Sequence, residues 1–223
     1  MTIRTILVAL FAVLLGVVTA QGQMGHGGGG PGAQIEKYFQ QIGMPKEFSA
    51  NVEMQGHGMT MASKLAVKGE KSRMEMTGGP MGQMVMINDR PAKKNYMLFP
   101  ATKSYMEMPM AEKQDNKADE RKVVVKELGD EQKEGQLCTK RLITIAGEGQ
   151  EPATEITVWV AKDKKLPVRL EMGSGEQAMA MVYKDYDLKS PDDALFQVPA
   201  DYKKQAGFGG MMPPSTPDAG KDN

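Results

Sequence analysis

The segment WVAKDKKLPVRLE, residues 159–171, shows the pattern that decides the fold class. Two apolar runs flank a turn rich in lysine and aspartate, which is typical of neighbouring strands joined by a hairpin. The pattern extends backwards to Phe48 and forwards to Tyr186, with turn signals about every ten residues. A twisted sheet of about eleven strands does not stay flat. We therefore predict a mainly β chain with a single curled antiparallel sheet, an incomplete β-barrel.

In one segment before the strands, the apolar residues recur with a helical period instead of the two-residue period of a strand. Its apolar residues recur at the three- and four-residue spacings of an amphipathic helix: Ile35, Tyr38, Phe39 and Ile42. Gly43 and Pro45 then end the helical pattern. A curled sheet needs a cover on its concave face, so we expect residues 33–42 to form a lid there.

The first twenty residues, MTIRTILVALFAVLLGVVTA, are typical of a secretory signal peptide. Arg4 supplies the positive charge, the apolar run is short for a membrane span, and small residues precede Ala20. We predict cleavage after Ala20 and a periplasmic or secreted protein; an uncleaved N-terminal anchor is the alternative.

The remaining chain divides by composition. Residues 21–32 are Gly-rich and predict a flexible leader, and residues 205–223 are rich in Gly and Pro and predict a disordered tail. Residues 33–204 form the predicted single domain. Within it, residues 112–122 carry charges without an apolar stripe and predict a solvated connection between two halves.

The composition narrows the function classes. Basic and acidic residues balance at 28 each, which gives no electrostatic reason to expect a nucleic-acid partner. The single cysteine, Cys138, excludes an internal disulfide and predicts a buried thiol; a disulfide-linked dimer is the less favoured alternative, and the oligomeric state stays open. The sequence contains no phosphate-binding loop, serine nucleophile elbow or zinc-hydrolase motif. We therefore predict a protein that is not an enzyme and uses no cofactor.

Methionine is the most informative residue type, with 20 copies. Five pairs have the form Met-x-Met: Met59/Met61, Met74/Met76, Met84/Met86, Met106/Met108 and Met179/Met181. Residues two apart on a strand share a face, so each pair places two thioethers on one side of the sheet. Methionine is common on surfaces that accept varied apolar partners. We predict that these pairs, with Trp159, form a concave face that binds an apolar ligand; filling of a fixed core is the alternative.

Several segments together resemble a known family. They are FSANVEM (48–54), SKLAVKGEKSRMEM (63–76), NYMLFPATKSYMEMPM (95–110), GQLCTKRLITI (135–145), TVWVAKDKKLPVRLE (157–171) and LFQVPADY (195–202). In these segments the chain resembles an exported bacterial family of unknown function whose fold is similar to the periplasmic lipoprotein carriers and their outer-membrane acceptors (LolA/LolB-like). The resemblance implies an incomplete barrel that holds lipid chains under a helical lid, and a lipid or a lipidated protein as partner. The resemblance implies no catalytic residues.

Two other functions stay open. Thioethers select Cu(I) and Ag(I), and the segment MQGHGMTM offers one candidate metal site: Met54, His57, Met59 and Met61. The same fold is also compatible with an envelope-sensing module that binds a protein partner. Arg73 and Arg169 lie within predicted strands, where they either face solvent or tether the lid.

Overall fold

The structure is a computed structural model. It describes residues 31–56, 58–79, 82–109, 122–147, 152–173 and 178–205. The predicted signal peptide lies outside the described residues, as do most of the predicted leader, the charged connection and the tail. Within the described ranges, no helix has the length and apolar character that crossing a bilayer requires.

In these ranges one α-helix precedes twelve strands. The helix is α1 (Pro31–Gln41). The strands are β1 (Glu47–Gly56), β2 (Met59–Lys68), β3 (Lys71–Gly79), β4 (Gly82–Asp89), β5 (Lys94–Phe99), β6 (Ser104–Pro109), β7 (Val123–Lys133), β8 (Gln136–Ile145), β9 (Thr154–Ala161), β10 (Pro167–Met172), β11 (Met179–Asp187) and β12 (Lys203–Lys204). Short 3-10 turns occupy Pro100–Thr102 and Asp193–Phe196.

All twelve strands belong to one sheet, in the order β12-β6-β5-β4-β3-β2-β1-β11-β10-β9-β8-β7. Neighbours pair antiparallel except β12, which pairs parallel with the start of β6. The sheet does not close into a barrel, because β7 pairs only with β8 and ends the sheet on one side. The prediction of a mainly β chain with one open sheet and an N-terminal helix is thus confirmed.

Two boundaries differ from the sequence prediction. Helix α1 begins at Pro31, because proline has no N–H to lose at the first helical position and its fixed φ suits a helix start. Pro31 and Gly32 therefore belong to the helix and not to the leader. At the other end, the Gln205 N–H donates a 2.8 Å hydrogen bond to the Tyr105 carbonyl, which joins this residue to the sheet.

A tight turn connects helix α1 to β1. The Met44 N–H donates to the Phe39 carbonyl at 3.0 Å, and the Gly43 N–H donates to the Gln40 carbonyl at 3.1 Å. Gly43 has a φ of +79°, a left-handed conformation that glycine adopts without steric cost. These features form a Schellman motif, which ends the helix and reverses the chain into the first strand.

Each face of the sheet carries its own apolar cluster. The larger cluster includes Phe48 and Val52 and also takes in the buried residues of helix α1; we call this side the inner face. On the other side, the outer face, Phe196 packs against Ile87 and Leu98. The helix thus covers the inner face, and the C-terminal segment packs on the outer one.

Candidate functional site

Four methionines on the inner face are direct partners across four consecutive strands. Met74 pairs with Met86, Met86 with Met97, and Met97 with Met106. We call these residues the methionine row. Direct partners on one face stand side by side, with Cβ atoms about 5 Å apart. Met74 is 1% exposed, so the row lies in the interior of the fold.

Other methionines extend this surface across the sheet. Met54 on β1 pairs with Met181 on one side and with Met61 on the other. Two further pairs are Met76 with Met84 and Met172 with Met179. All of these side chains belong to, or pack against, the inner-face cluster. The inner face is therefore lined by thioethers from β1 to β6 and on β10 and β11.

The structure brings most of the predicted ligand-binding methionines to this one face. They are Met61, Met74, Met76, Met84, Met86, Met106, Met179 and Met181. Met108 lies two residues beyond Met106 on the same face and is half-buried. Met59, at the start of β2, is 49% exposed and lies outside the buried cluster. Ligand binding by these residues stays a prediction.

Trp159 does not belong to the inner face, and its placement there by the sequence prediction is wrong. It lies on the outer face in a small cluster with Cys138 and Val168. Its indole N–H donates to the Glu131 carboxylate, and the ammonium of Lys133 lies 4.3 Å from the centroid of the ring. Because Val158 and Val160 already fill the inner face of β9, the alternation directs Trp159 outward.

Helix α1 covers the inner face with its apolar stripe. Ile35, Tyr38 and Phe39 are buried in the inner-face cluster, and Ile42 packs against it from a half-buried position. The predicted lid residues thus share one apolar cluster with the methionines of the inner face, and their role as a lid stays a prediction.

Two arginines hold the helix in place. Arg141 on β8 donates a 3.1 Å hydrogen bond to the Tyr38 phenol oxygen, and Arg90 in the β4–β5 turn forms an ion pair with Glu36. Burial raises the pKa of the Tyr38 phenol, so this group stays neutral at physiological pH. Sequence reasoning missed both contacts. The only available signal was the presence of arginine in a strand and in a turn, which does not identify a partner.

Arg73 and Arg169 lie on the outer face, so neither tethers the lid. Arg73 binds the Glu75 carboxylate at 2.9 Å and donates to the Leu195 carbonyl at 3.0 Å. Arg169 binds Glu171 at 2.6 Å. Arg73 thereby attaches the C-terminal 3-10 turn to the sheet, and the lid reading of both arginines is wrong.

Cys138 is a free, buried thiol, as predicted. Its side chain packs with Trp159 and Ala161 on the outer face. Burial raises the pKa of this thiol above its ordinary value, which leaves it protonated and weakly reactive.

The candidate metal site is only partly described. Met54 and Met61 are direct cross-strand partners, whereas His57 lies outside the described residues. Over the part of the chain that the structure covers, no three His, Cys, Asp or Glu residues are grouped as metal ligands. Thioethers form a different donor set, so metal binding through methionine stays a prediction.

Two buried polar atoms on the inner face lack a hydrogen-bond partner among the described residues. They are Asn95 Oδ1 and the hydroxyl of Tyr183. Burial raises the pKa of Tyr183 well above its ordinary value, and its ring stacks on Tyr186 with centroids 6.3 Å apart. An unpartnered buried polar group costs folding free energy, so each of these atoms needs a physical explanation.

The chain belongs to the family described as Domain of unknown function (DUF4412), whose model matches residues 48–165. The resemblance to a family of unknown function is thereby confirmed. No curated protein sequence matches the chain.

Several solved structures are similar to the chain over about three quarters of its length. Lipoprotein LppX of Mycobacterium tuberculosis is 16% identical, with a TM-score of 0.47 over 72% of this chain and 97% of LppX. The MucA/MucB complex of Pseudomonas aeruginosa is 8% identical, with a TM-score of 0.46 over 76% of this chain and 61% of the matched chain. A LolA superfamily protein from Nitrosomonas europaea is 12% identical, with a TM-score of 0.35 over 74% of this chain and 96% of that protein.

Proposed function

We propose that this protein is a non-enzymatic, exported carrier that binds an apolar ligand, a lipid acyl chain or a lipidated protein, between helix α1 and the methionine-lined inner face. The observation that carries the proposal is the methionine row, in which Met74, Met86, Met97 and Met106 are direct partners on four neighbouring strands. The row lies on the face that helix α1 covers.

The choice of residue supports binding over simple core filling. A fixed core is best specified by Leu, Ile and Val, whose rotamers are well defined. The β8–β9 end of the same face follows that rule, since these strands contribute Ile143, Ile156 and Val158. Methionine has three rotatable bonds and adapts to irregular apolar shapes. Its concentration on the rest of the inner face favours a surface that changes its packing when a ligand enters.

The attachment of the helix supports a movable lid. Beyond its apolar stripe, helix α1 makes polar contacts with the sheet through the side chains of Glu36 and Tyr38. Met74 is nearly inaccessible, so an acyl chain reaches the methionine row only when the helix or the side chains move. Half-buried methionines at Met61 and Met84 offer a point of entry beside the row.

Native mass spectrometry of the full chain, purified from an envelope fraction, tests the proposal. We expect co-purifying lipid, and saturable uptake of a fluorescent fatty acid by the delipidated protein. A clean mass without ligand, combined with no uptake of the fluorescent fatty acid, would contradict the proposed function.

A variant series locates the binding surface. Replacing Met74, Met86 and Met97 by Ile keeps apolar character while removing side-chain flexibility, and we expect weaker uptake from a protein that still folds. Met59→Ile is the matched control, because Met59 is half exposed and outside the buried cluster. Equal uptake by the triple variant and the control would place the ligand elsewhere.

A soft-metal function has one specific observation in its favour. Met181, Met54 and Met61 are aligned across β11, β1 and β2, which brings three thioethers close together. Cu(I) titration against a competing chelator tests this alternative. Tight binding that is lost in Met54→Leu and Met61→Leu would favour metal handling, and no binding would remove it. Capture of one envelope protein without bound lipid would instead favour a protein-interaction module.

A further inference from the structure

A second row of side chains runs beside the methionine row, and it is polar. Asn88 on β4 pairs with Ser72 on β3 and with Asn95 on β5. We call Ser72, Asn88 and Asn95 the polar row. Each member lies two positions along its strand from a residue of the methionine row, so the rows share the inner face about 7 Å apart.

In the polar row Asn88 and Asn95 are buried, Ser72 is half-buried, and the hydrogen bonding is incomplete. Asn88 donates a 3.1 Å hydrogen bond from Nδ2 to Ser72 Oγ. Asn95 is 3% exposed, and its Oδ1 accepts no hydrogen bond from the part of the chain that the structure describes. Strand positions that face an apolar interior normally carry apolar residues, so an unpartnered acceptor here points to a donor that the described residues do not supply.

The cations next to the polar row in sequence lie on the outer face or are already paired. Lys71, on the outer face with Arg73, lies 3.2 Å from Asp89, and Lys94, on the outer face with Tyr96, lies 3.1 Å from Glu107. Arg90 is paired with Glu36 of the helix. With these cations already engaged, a charged headgroup gains little at this end of the inner face, and an uncharged hydrogen-bond donor is the chemistry that fits.

We infer that the polar row is a recognition site for an uncharged donor, a hydroxyl or an amide N–H, attached next to the apolar chain of the ligand, and that Asn95 Oδ1 accepts its hydrogen bond. This inference rests on the proposed function and specifies its ligand class. The methionine row takes the acyl chain while the polar row takes the first polar group beyond it. A glycerolipid hydroxyl and the amide of an acylated protein both supply this chemistry.

Three probes of equal chain length test the inference on the delipidated full chain. Monolauroylglycerol offers hydroxyl donors, lauramide offers an amide donor, and methyl laurate offers no donor. Displacement of the fluorescent fatty acid should show that at least one donor probe binds about ten-fold tighter than methyl laurate. Preference for monolauroylglycerol would identify a glycerolipid, and preference for lauramide an acylated protein.

The variant Asn95→Leu removes the acceptor and keeps an apolar side chain of similar volume. We expect it to lose the preference for the donor probe and to bind methyl laurate as the wild type does. Asn51→Leu is the matched control, because Asn51 is exposed and its amide binds Asp185 rather than the polar row. Asn95→Val provides a second apolar variant if the first does not fold.

The outcomes separate this inference from the proposed function. Equal affinity of the wild type for all three probes, or a donor preference that survives in a folded apolar variant of Asn95, would overturn the inference and leave the proposed function in place. Failure of all three probes and of the fluorescent fatty acid to bind would overturn the proposed function, and the inference with it.

Discussion

The guanidinium of Arg141 on β8 donates a 3.1 Å hydrogen bond to the phenol oxygen of Tyr38 on helix α1. The same guanidinium binds the Glu127 carboxylate at 3.1 Å from its other terminal nitrogen. A side chain of the sheet is thus oriented by its neighbouring strand while it holds the helix over the inner face.

Loss of this contact should loosen the lid. We expect Arg141→Leu to weaken the attachment of helix α1 by about 1 kcal/mol, the usual net contribution of one hydrogen bond. Hydrogen exchange at residues 35–42 should become faster, while exchange in β3 and β4 stays unchanged. Arg169→Leu is the control, because Arg169 also binds carboxylates but lies on the outer face. The same increase in helix exchange for both variants would contradict the role of Arg141.

Burial of the methionine row should contribute to the free energy of unfolding. Met74→Ala creates a cavity in the inner-face cluster, and we expect it to lower the free energy of unfolding by about 2–5 kcal/mol. Met59→Ala should change it by less than about 0.5 kcal/mol, because that side chain is half exposed. Urea denaturation followed by circular dichroism measures both values. Similar losses in the two variants would show that the row is not the packed interior described above.

The unpartnered hydroxyl of Tyr183 predicts a stabilising substitution. Tyr183→Phe removes a buried polar atom that has no partner among the described residues, and we expect a gain of about 1 kcal/mol in unfolding free energy. A loss of similar size in the delipidated protein would indicate that the hydroxyl is hydrogen-bonded in solution.

Burial of Tyr183 also predicts that the stability of the protein decreases at alkaline pH. Burial raises the folded-state pKa of Tyr183 well above the unfolded value, so the unfolded chain loses the phenol proton first, and the free energy of unfolding is unaffected by this titration below about pH 10 and falls as the pH rises further. The melting temperature should therefore fall above about pH 10, and less steeply in Tyr183→Phe. Tyr186, whose pKa burial also raises well above its ordinary value, contributes the part of the fall that remains.

Low pH should detach the last strand, β12, from β6. The ammonium groups of Lys94 and Lys204 hold the pKa of the Glu107 carboxyl below its ordinary value, and Lys103 does the same for Asp201. A carboxyl with a lowered folded-state pKa adds stability above its unfolded pKa, and that stability is lost as the pH falls through the folded-state pKa. We therefore expect β12 to detach from β6 below about pH 4.

Amide exchange at Lys203 and Gln205 reports this detachment, because both N–H groups donate to carbonyls of residues 103–105. Glu107→Gln should reduce their protection at neutral pH and flatten the response to acid. Glu53→Gln, which removes the partner of Lys184 on another part of the sheet, is the control. Unchanged protection at Gln205 in the Glu107 variant would show that these ion pairs do not hold the strand.

The shared face of the methionines could be predicted because it depends on local geometry. Strand residues two apart point to the same side whatever the partners are, so the pairs at Met74/Met76 and Met84/Met86 could be placed from sequence. Their alignment into a row could not, because it depends on which strands are neighbours and in what register. That register follows from the whole set of hairpins and not from any one segment.

The face of the sheet on which Trp159 lies could not be predicted from the alternation of residues along β9. Both faces of β9 carry apolar residues, so the sequence does not indicate which face is the inner one. Its neighbours Glu131 and Lys140 come from other strands, and their contacts with the indole decide its surroundings. The parallel pairing of β12 with β6 is similarly non-local, because it joins Lys203 to Ser104 across most of the domain.

On the proposed function, helix α1 moves as a lid by rotating about the tight turn at Gly43, which connects its last turn to β1. Eleven residues span about 16 Å, so a rotation of about 30° at the pivot lifts the first turn by about 8 Å while the last turn hardly moves. Such a rotation opens a gap between helix α1 and the inner face that is widest at the Pro31 end and closed at the Gly43 end. On the proposed function, cargo therefore enters from the side of Pro31, and the aperture narrows toward the start of β1.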